Sequence, residues 1–201
     1  MTKAHIIAVA GGSCSGKTTM ALNVCRALGA GNCAIVYQDS YYRGLASITN
    51  YDLPEAIDFQ LMATHLNSLK QGEIIAMPTY DFTTHRRTEK QVSLDPKPII
   101  LVDGILILHA PELANCFDFK VFVECSEEER RKRRLERDTR ERGRTKEETL
   151  QQFNNQVAPL HNQLVEPSKQ HADFICQQPG PARCDETLSA PLLEYCKRLL
   201  P

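Results

Sequence analysis

A chain of 201 residues with 24 basic and 25 acidic side chains has a formal net charge of −1, so nothing global recruits nucleic acid or an anionic membrane. The length suits one α/β domain over 1–201 with a sizeable core, and it is short for two. No apolar run approaches the roughly 20 residues of a membrane span, and Met1-Thr2-Lys3-Ala4-His5 lacks a signal-peptide pattern, which predicts a cytoplasmic protein. Eight cysteines lie scattered without C-x-x-C or paired Cys/His spacing, which argues against zinc.

The apolar run Ile6-Ile7-Ala8-Val9-Ala10 predicts a strand, and it leads into Gly11-Gly12-Ser13-Cys14-Ser15-Gly16-Lys17-Thr18. Gly, four free positions, then Gly-Lys-Thr is the phosphate-binding P-loop pattern, because glycine lets the backbone curl around an anion with its N–H groups pointing inward. Residues 11–19, through Thr19, are the candidate nucleotide cradle, with Lys17 reaching the outer phosphates and the Thr18 hydroxyl on Mg²⁺. The following segment to Leu28 reads as a helix whose N-terminus favours phosphate. Cys14 is either a reactive thiol in that field or a spectator at a free position.

Cys33-Ala34-Ile35-Val36-Tyr37 predicts a second strand, which puts Asp39 at its carboxyl end, where ligands gather in open parallel sheets. Asp39 is the candidate base; a turn aspartate is the bland alternative. After a loop at 44–54, Pro54-Glu55 and Asp58 open a predicted helix through Phe59, Leu61, Met62, Leu66 and Leu69 to about Lys70. Two short strands, Ile74–Met77 and Gln91–Leu94, flank a polar, aromatic tip and predict a hairpin flap at about 72–95.

Pro98–Gly104 is a nearly continuous apolar run ending in Asp103, as a buried parallel strand reads, and an acid there fits a second Mg²⁺-holding position. Phe119–Glu124 is a further strand. Ser126-Glu127-Glu128-Glu129 has the form of a capping box and opens an arginine-rich helix in which Arg130, Arg134 and Arg137 share a face. That helix is either a solvated face of i, i+4 pairs or a lid at about 130–150 closing arginines over phosphate. Thr145-Lys146-Glu147-Glu148 repeats the capping pattern and opens a helix past Pro159 to about Val165. Asp173–Cys176 is the last strand, Pro179-Gly180-Pro181 a turn and Thr187–Leu200 the closing helix. Strands alternating with helices predict a three-layer α/β domain with a mostly parallel sheet.

The ordered set formed by the P-loop, Gln38-Asp39-Ser40-Tyr41-Tyr42-Arg43, Asn50-Tyr51-Asp52-Leu53-Pro54, Tyr80-Asp81-Phe82, His85, Asp103-Gly104-Ile105-Leu106, Glu141-Arg142-Gly143-Arg144 and Glu166-Pro167-Ser168-Lys169 closely resembles the uridine kinase family of P-loop kinases, related to phosphoribulokinase. The resemblance covers roughly residues 5 to 176. It implies a P-loop NTPase fold and a kinase using ATP or GTP with Mg²⁺ to phosphorylate uridine and cytidine at the 5′-hydroxyl. It further implies that Asp39 takes the hydroxyl proton, Asp52 grips the ribose, and Tyr80, Phe82 and His85 hold the pyrimidine. Arg134, Arg137, Arg142 and Arg144 would form the lid, with Gln152 near the sugar; a homotetramer inhibited by pyrimidine triphosphates is likewise implied.

The chain departs from the family where Asp103 stands for the usual Glu, Leu53 for His, and Gln177-Gln178-Pro179 for Pro-Arg-Gly. Those departures keep open a related kinase for another small hydroxyl substrate. A nucleotide-binding regulatory module is the reading from another class, and intact Lys17, Thr18, Asp39 and Asp103 weigh against it.

Overall fold

In the computed structural model the elements run β1 (His5–Gly11), α1 (Lys17–Leu28), β2 (Cys33–Tyr37), α2 (Phe59–Lys70), β3 (Ile75–Asp81), β4 (Arg86–Leu94), β5 (Ile99–Gly104), β6 (Phe119–Glu124) and α3 (Glu127–Glu141). A long helical rod follows, starting as α4 (Lys146–Gln152), and the chain ends on β7 (Phe174–Gln177) and α7 (Glu186–Leu199). The structure describes residues 4–44, 50, 52–81, 84, 86–178 and 186–200. The expected substrate contacts Phe82 and His85, and the expected turn at Pro179-Gly180-Pro181, lie outside the described residues.

Five strands make one parallel sheet in the order β2-β5-β1-β6-β7. Period-two alternation sends Ile6, Ala8 and Ala10 of β1 to one face and Ile7 and Val9 to the other. The first face packs on Met62, Leu66 and Leu69 of α2, and the second on Met20 and Val24 of α1 with Leu192 and Cys196 of α7. Burying such a side chain is worth at most about 1.5–3 kcal/mol each, so the near-continuous apolar runs of β1 and β5 specify the three layers. β3 and β4 form a separate antiparallel hairpin, longer than the two short strands the sequence suggested, with a register shift between Pro78 and Tyr80, where proline lacks an N–H to pair.

Two local expectations at helix starts change, and a third holds. Pro54–Ala56 is a separate 3₁₀ turn and Ile57 is extended, bridging Tyr42; the helix starts only at Phe59, where the Asp58 carboxylate caps the Leu61 N–H at 3.2 Å. Ser126 accepts the Glu129 N–H at 3.3 Å, but the reciprocal half of a capping box is missing because Glu129 takes Arg133 Nε at 2.9 Å instead. Thr145 and Glu148 do form the reciprocal box.

The rod also runs further than its pattern suggested. After α4 comes a π turn (Phe153–Val157), α5 (Ala158–Leu160), a second π turn (His161–Val165), α6 (Glu166–Ser168) and a 3₁₀ turn (Lys169–His171). Pro159 and Pro167 each stand just after a π turn, where the widened backbone tolerates a missing N–H. Among the described residues, no helix is long and apolar enough to cross a membrane.

Candidate active site

The carboxyl ends of β1, β2 and β5 meet at one point, and the candidate chemistry collects there. Beyond β1 the chain turns through Gly11, at φ 146°, where an added Cβ would stand 2.5 Å from the Val123 carbonyl, and Gly16, at φ 100°, before α1 begins. Behind this loop the wall is tight. A Cβ on Gly12 would meet His161 Nδ1 at 2.8 Å and Arg130 Cδ at 3.0 Å. Arg130 therefore leaves the face it shares with Arg134 and Arg137: it is buried, donates Nε–H to the Cys125 carbonyl at 3.3 Å and lies 6.0 Å over the Phe153 ring. Burial, and then the charge of Arg130, push the His161 imidazole down to about 4, so it is neutral at physiological pH.

Asp103, at the end of β5, pairs in register with Val9 of β1 and Tyr37 of β2. Thr18 donates its hydroxyl to Asp103 Oδ2 at 2.6 Å, while Oδ1 is buried without a hydrogen-bond partner. Burial raises the Asp103 pKa, and Lys17 and the Thr18 hydrogen bond oppose that rise. One hydroxyl beside one spare carboxylate oxygen suits Mg²⁺, which keeps several waters and phosphate oxygens instead of a full protein cage. Among the described residues, no group of three His, Cys, Asp or Glu side chains stands ready for a metal.

Asp39 sits on the 3₁₀ turn Gln38–Tyr41 and is exposed to the cleft. Its neighbour Gln38 is fully buried and accepts the Leu106 N–H at 2.8 Å, which fixes the end of β2 against the turn after β5. Thus the segments carrying Asp39 and Asp103 are tied by one side chain. Asp52 lines the same cavity with Tyr42 and Tyr80, whose rings lie 5.1 Å apart. Burial raises the Asp52 pKa, countered by Arg134 and increased again by Asp39. On the outer side, Cys14, at φ 63°, and Thr19 border a groove with Lys17 and Arg137.

Arg134, Arg137, Arg142, Arg144 and Gln152 complete the cavity wall. Arg134 donates to the P-loop Ser13 hydroxyl at 2.9 Å and to Gln152 Oε1 at 3.1 Å, and Arg144 donates to that same oxygen. At the centre of these guanidinium groups is Asp138, which is wholly buried. The helix face carrying Arg134 and Asp138 is therefore not solvated, although its opposite side, with Arg131 and Lys132, is.

Sequence reasoning missed Asp138, His161, Gln38 and Arg87. For Asp138 a signal existed: it stands four residues after Arg134 and four before Arg142. Arg87 of β4 donates to the Tyr41 and Tyr42 carbonyls at 3.0 and 3.1 Å and approaches Asp58 at 3.4 Å, so it staples the hairpin to the turn carrying Asp39.

The sequence profile of the Phosphoribulokinase / Uridine kinase family matches residues 6–183. The chain belongs to that family. It is 41% identical over 187 residues to a uridine kinase of Clostridium perfringens, covering 90% of each chain, and 40% identical over 187 residues to one from Staphylococcus epidermidis at the same coverage. Its fold is also that of phosphoribulokinase from Rhodobacter spheroides, with a TM-score of 0.64 at 13% identity over 88% of this chain and 71% of the other. Kinases of this kind work through positioning and charge stabilisation, the functions for which lysine, carboxylates and clustered arginines are suited.

Proposed function

We propose that this kinase transfers the γ-phosphoryl group of ATP to the 5′-hydroxyl of uridine and cytidine, giving UMP and CMP. The observation that carries the reading is that one cavity is lined by Lys17, Asp39, Asp52, Asp103 and four arginines, in a chain about two-fifths identical to uridine kinases over most of its length.

In this reading residues 11–16 and Thr19 cradle the phosphates with backbone N–H groups, and Lys17 holds the γ-phosphate. Thr18 and Asp103 would hold Mg²⁺, which would supply positive charge against the nucleotide's phosphates. Asp39 accepts the 5′-hydroxyl proton as the 5′-oxygen bonds to the γ-phosphorus and the bond to the ADP oxygen breaks. Arg137 and Arg142 stabilise the charge spread over the transferring group, with Arg134 and Arg144 beside them. Asp52 accepts hydrogen bonds from the vicinal ribose hydroxyls, which disfavours deoxyribose by leaving an acceptor unpaired. Tyr80 contacts the pyrimidine and Gln152 the sugar's edge; Phe82 and His85, outside the described residues, keep the pyrimidine role that the family resemblance implies.

The test is incubation with Mg-ATP and a panel of nucleosides, sugars and sugar phosphates, with ADP and the new ester read by mass spectrometry. Uridine and cytidine are expected to give their 5′-monophosphates. ADP release that depends only on a non-nucleoside overturns the reading, and no turnover with any member of the panel favours a regulatory module.

A further inference from the structure

We infer that Asp138 is a positioning residue for phosphoryl transfer, a built-in counter-charge that gathers the transition-state arginines before any nucleotide arrives. This deepens the kinase reading and rests on it. Asp138 Oδ1 accepts from Arg137 Nε and stands 2.8 Å from its Nη2, and Arg142 Nε is 3.7 Å from the same oxygen. Oδ2 lies 3.4 Å from Arg134 Nε and 3.8 Å from Arg144 Nη1, and it makes no hydrogen bond. The Asp138 backbone carbonyl also accepts the Arg142 and Arg144 N–H groups, each at 3.2 Å, which bends the chain back over α3 at Gly143, where φ is 65°. One residue thus places four guanidinium groups from two segments, three on α3 and its end and one beyond the glycine.

Four cations close together repel one another, and in the absence of a counter-ion three of these side chains, between 29 and 37% exposed, would swing to water. A single carboxylate satisfies part of that charge and leaves the remainder for an incoming phosphoryl group. Because the anion-binding groups are already oriented, less reorganisation is needed in the reaction itself, which is where electrostatic catalysis gains. The carboxylate does not line the cavity. Its effect passes through the arginines, not through substrate.

Asp138→Asn keeps the shape and removes the charge. With uridine and Mg-ATP saturating, kcat is expected to fall about tenfold or more, while KM for uridine stays within about threefold. Glu128→Gln, which removes an exposed charge from the same helix, is the control expected to keep both constants. Unchanged kcat in a folded Asp138→Asn protein overturns the inference, as does a rise in KM alone. Inactivity of the wild-type chain toward every nucleoside would instead count against the kinase reading. If the variant does not fold, exchange of arginine Nε–H protons in the nucleotide-free wild type decides the matter. Arg137 is expected to exchange at least about tenfold more slowly than exposed Arg131, and equal rates overturn the inference.

Discussion

Thr18 and Asp103, 85 positions apart in the chain, are joined by a 2.6 Å hydrogen bond that ties the first turn of α1 to the end of β5. That bond orients one oxygen of a buried carboxylate and leaves the other free. Asp103→Asn is therefore expected to raise the Mg²⁺ concentration for half-maximal turnover about tenfold or more, measured by titrating Mg²⁺ at fixed ATP. A requirement unchanged from wild type would remove Asp103 from the metal site.

For Asp39, the expected effect lies in chemistry and not in nucleotide binding. Asp39→Asn should lower kcat by about 10² or more, with ATP affinity by calorimetry within about threefold of wild type. Near-normal turnover would mean that another group takes the hydroxyl proton.

Arg87→Ala cuts the three contacts that fasten the hairpin to the Tyr41–Tyr42 backbone and Asp58. Two carbonyls then lose charged donors, a cost of about 1–3 kcal/mol, visible as a lower urea midpoint. Because the hairpin carries Tyr80, KM for uridine should rise by more than kcat falls. Equal loss of both constants would show that the hairpin does not read the nucleoside.

The neutral, buried His161 makes stability depend on acid. Its pKa is lowered to about 4 in the fold from 6.5, so the unfolded chain takes up the proton first. Its stabilising contribution is present in full above about pH 6.5 and is lost as pH falls toward 4, by at most about 3 kcal/mol. His161→Gln should flatten the unfolding free energy across that window. A slope as steep as the wild type's would assign the acid loss to other groups, among them Glu124, whose pKa the Lys169 pair lowers and whose contribution fades only below about pH 4.5.

The sheet was readable because its signals are local: apolar runs of the right length, ending in glycine or acid, alternating with capped helices. The P-loop, Asp39 and Asp103 were readable for the same reason, since each sits where a strand ends. What escaped was set by distance or by competition. Gln38 looks like an ordinary polar residue until β5 arrives beside it, and His161 faces the P-loop from a rod whose π turns the α-helical period does not anticipate. Asp138 was hidden among many charges, where i, i+4 spacing fits an exposed pair as well as a buried hub. Ser126 was misread because Glu129 had a better partner in Arg133 than the backbone N–H a capping box offers it.

The absence of a side chain at Gly12 has its own reach, because the space is filled by a ring 149 positions later in the chain. On the ribosome the phosphate-binding sequence is made well before the wall behind it, which is complete only once His161 has been made and the rod has docked. A nascent or truncated chain that stops short of that residue carries the whole motif without its mould. The loop and the wall that shapes it are thus supplied by stretches made far apart in time.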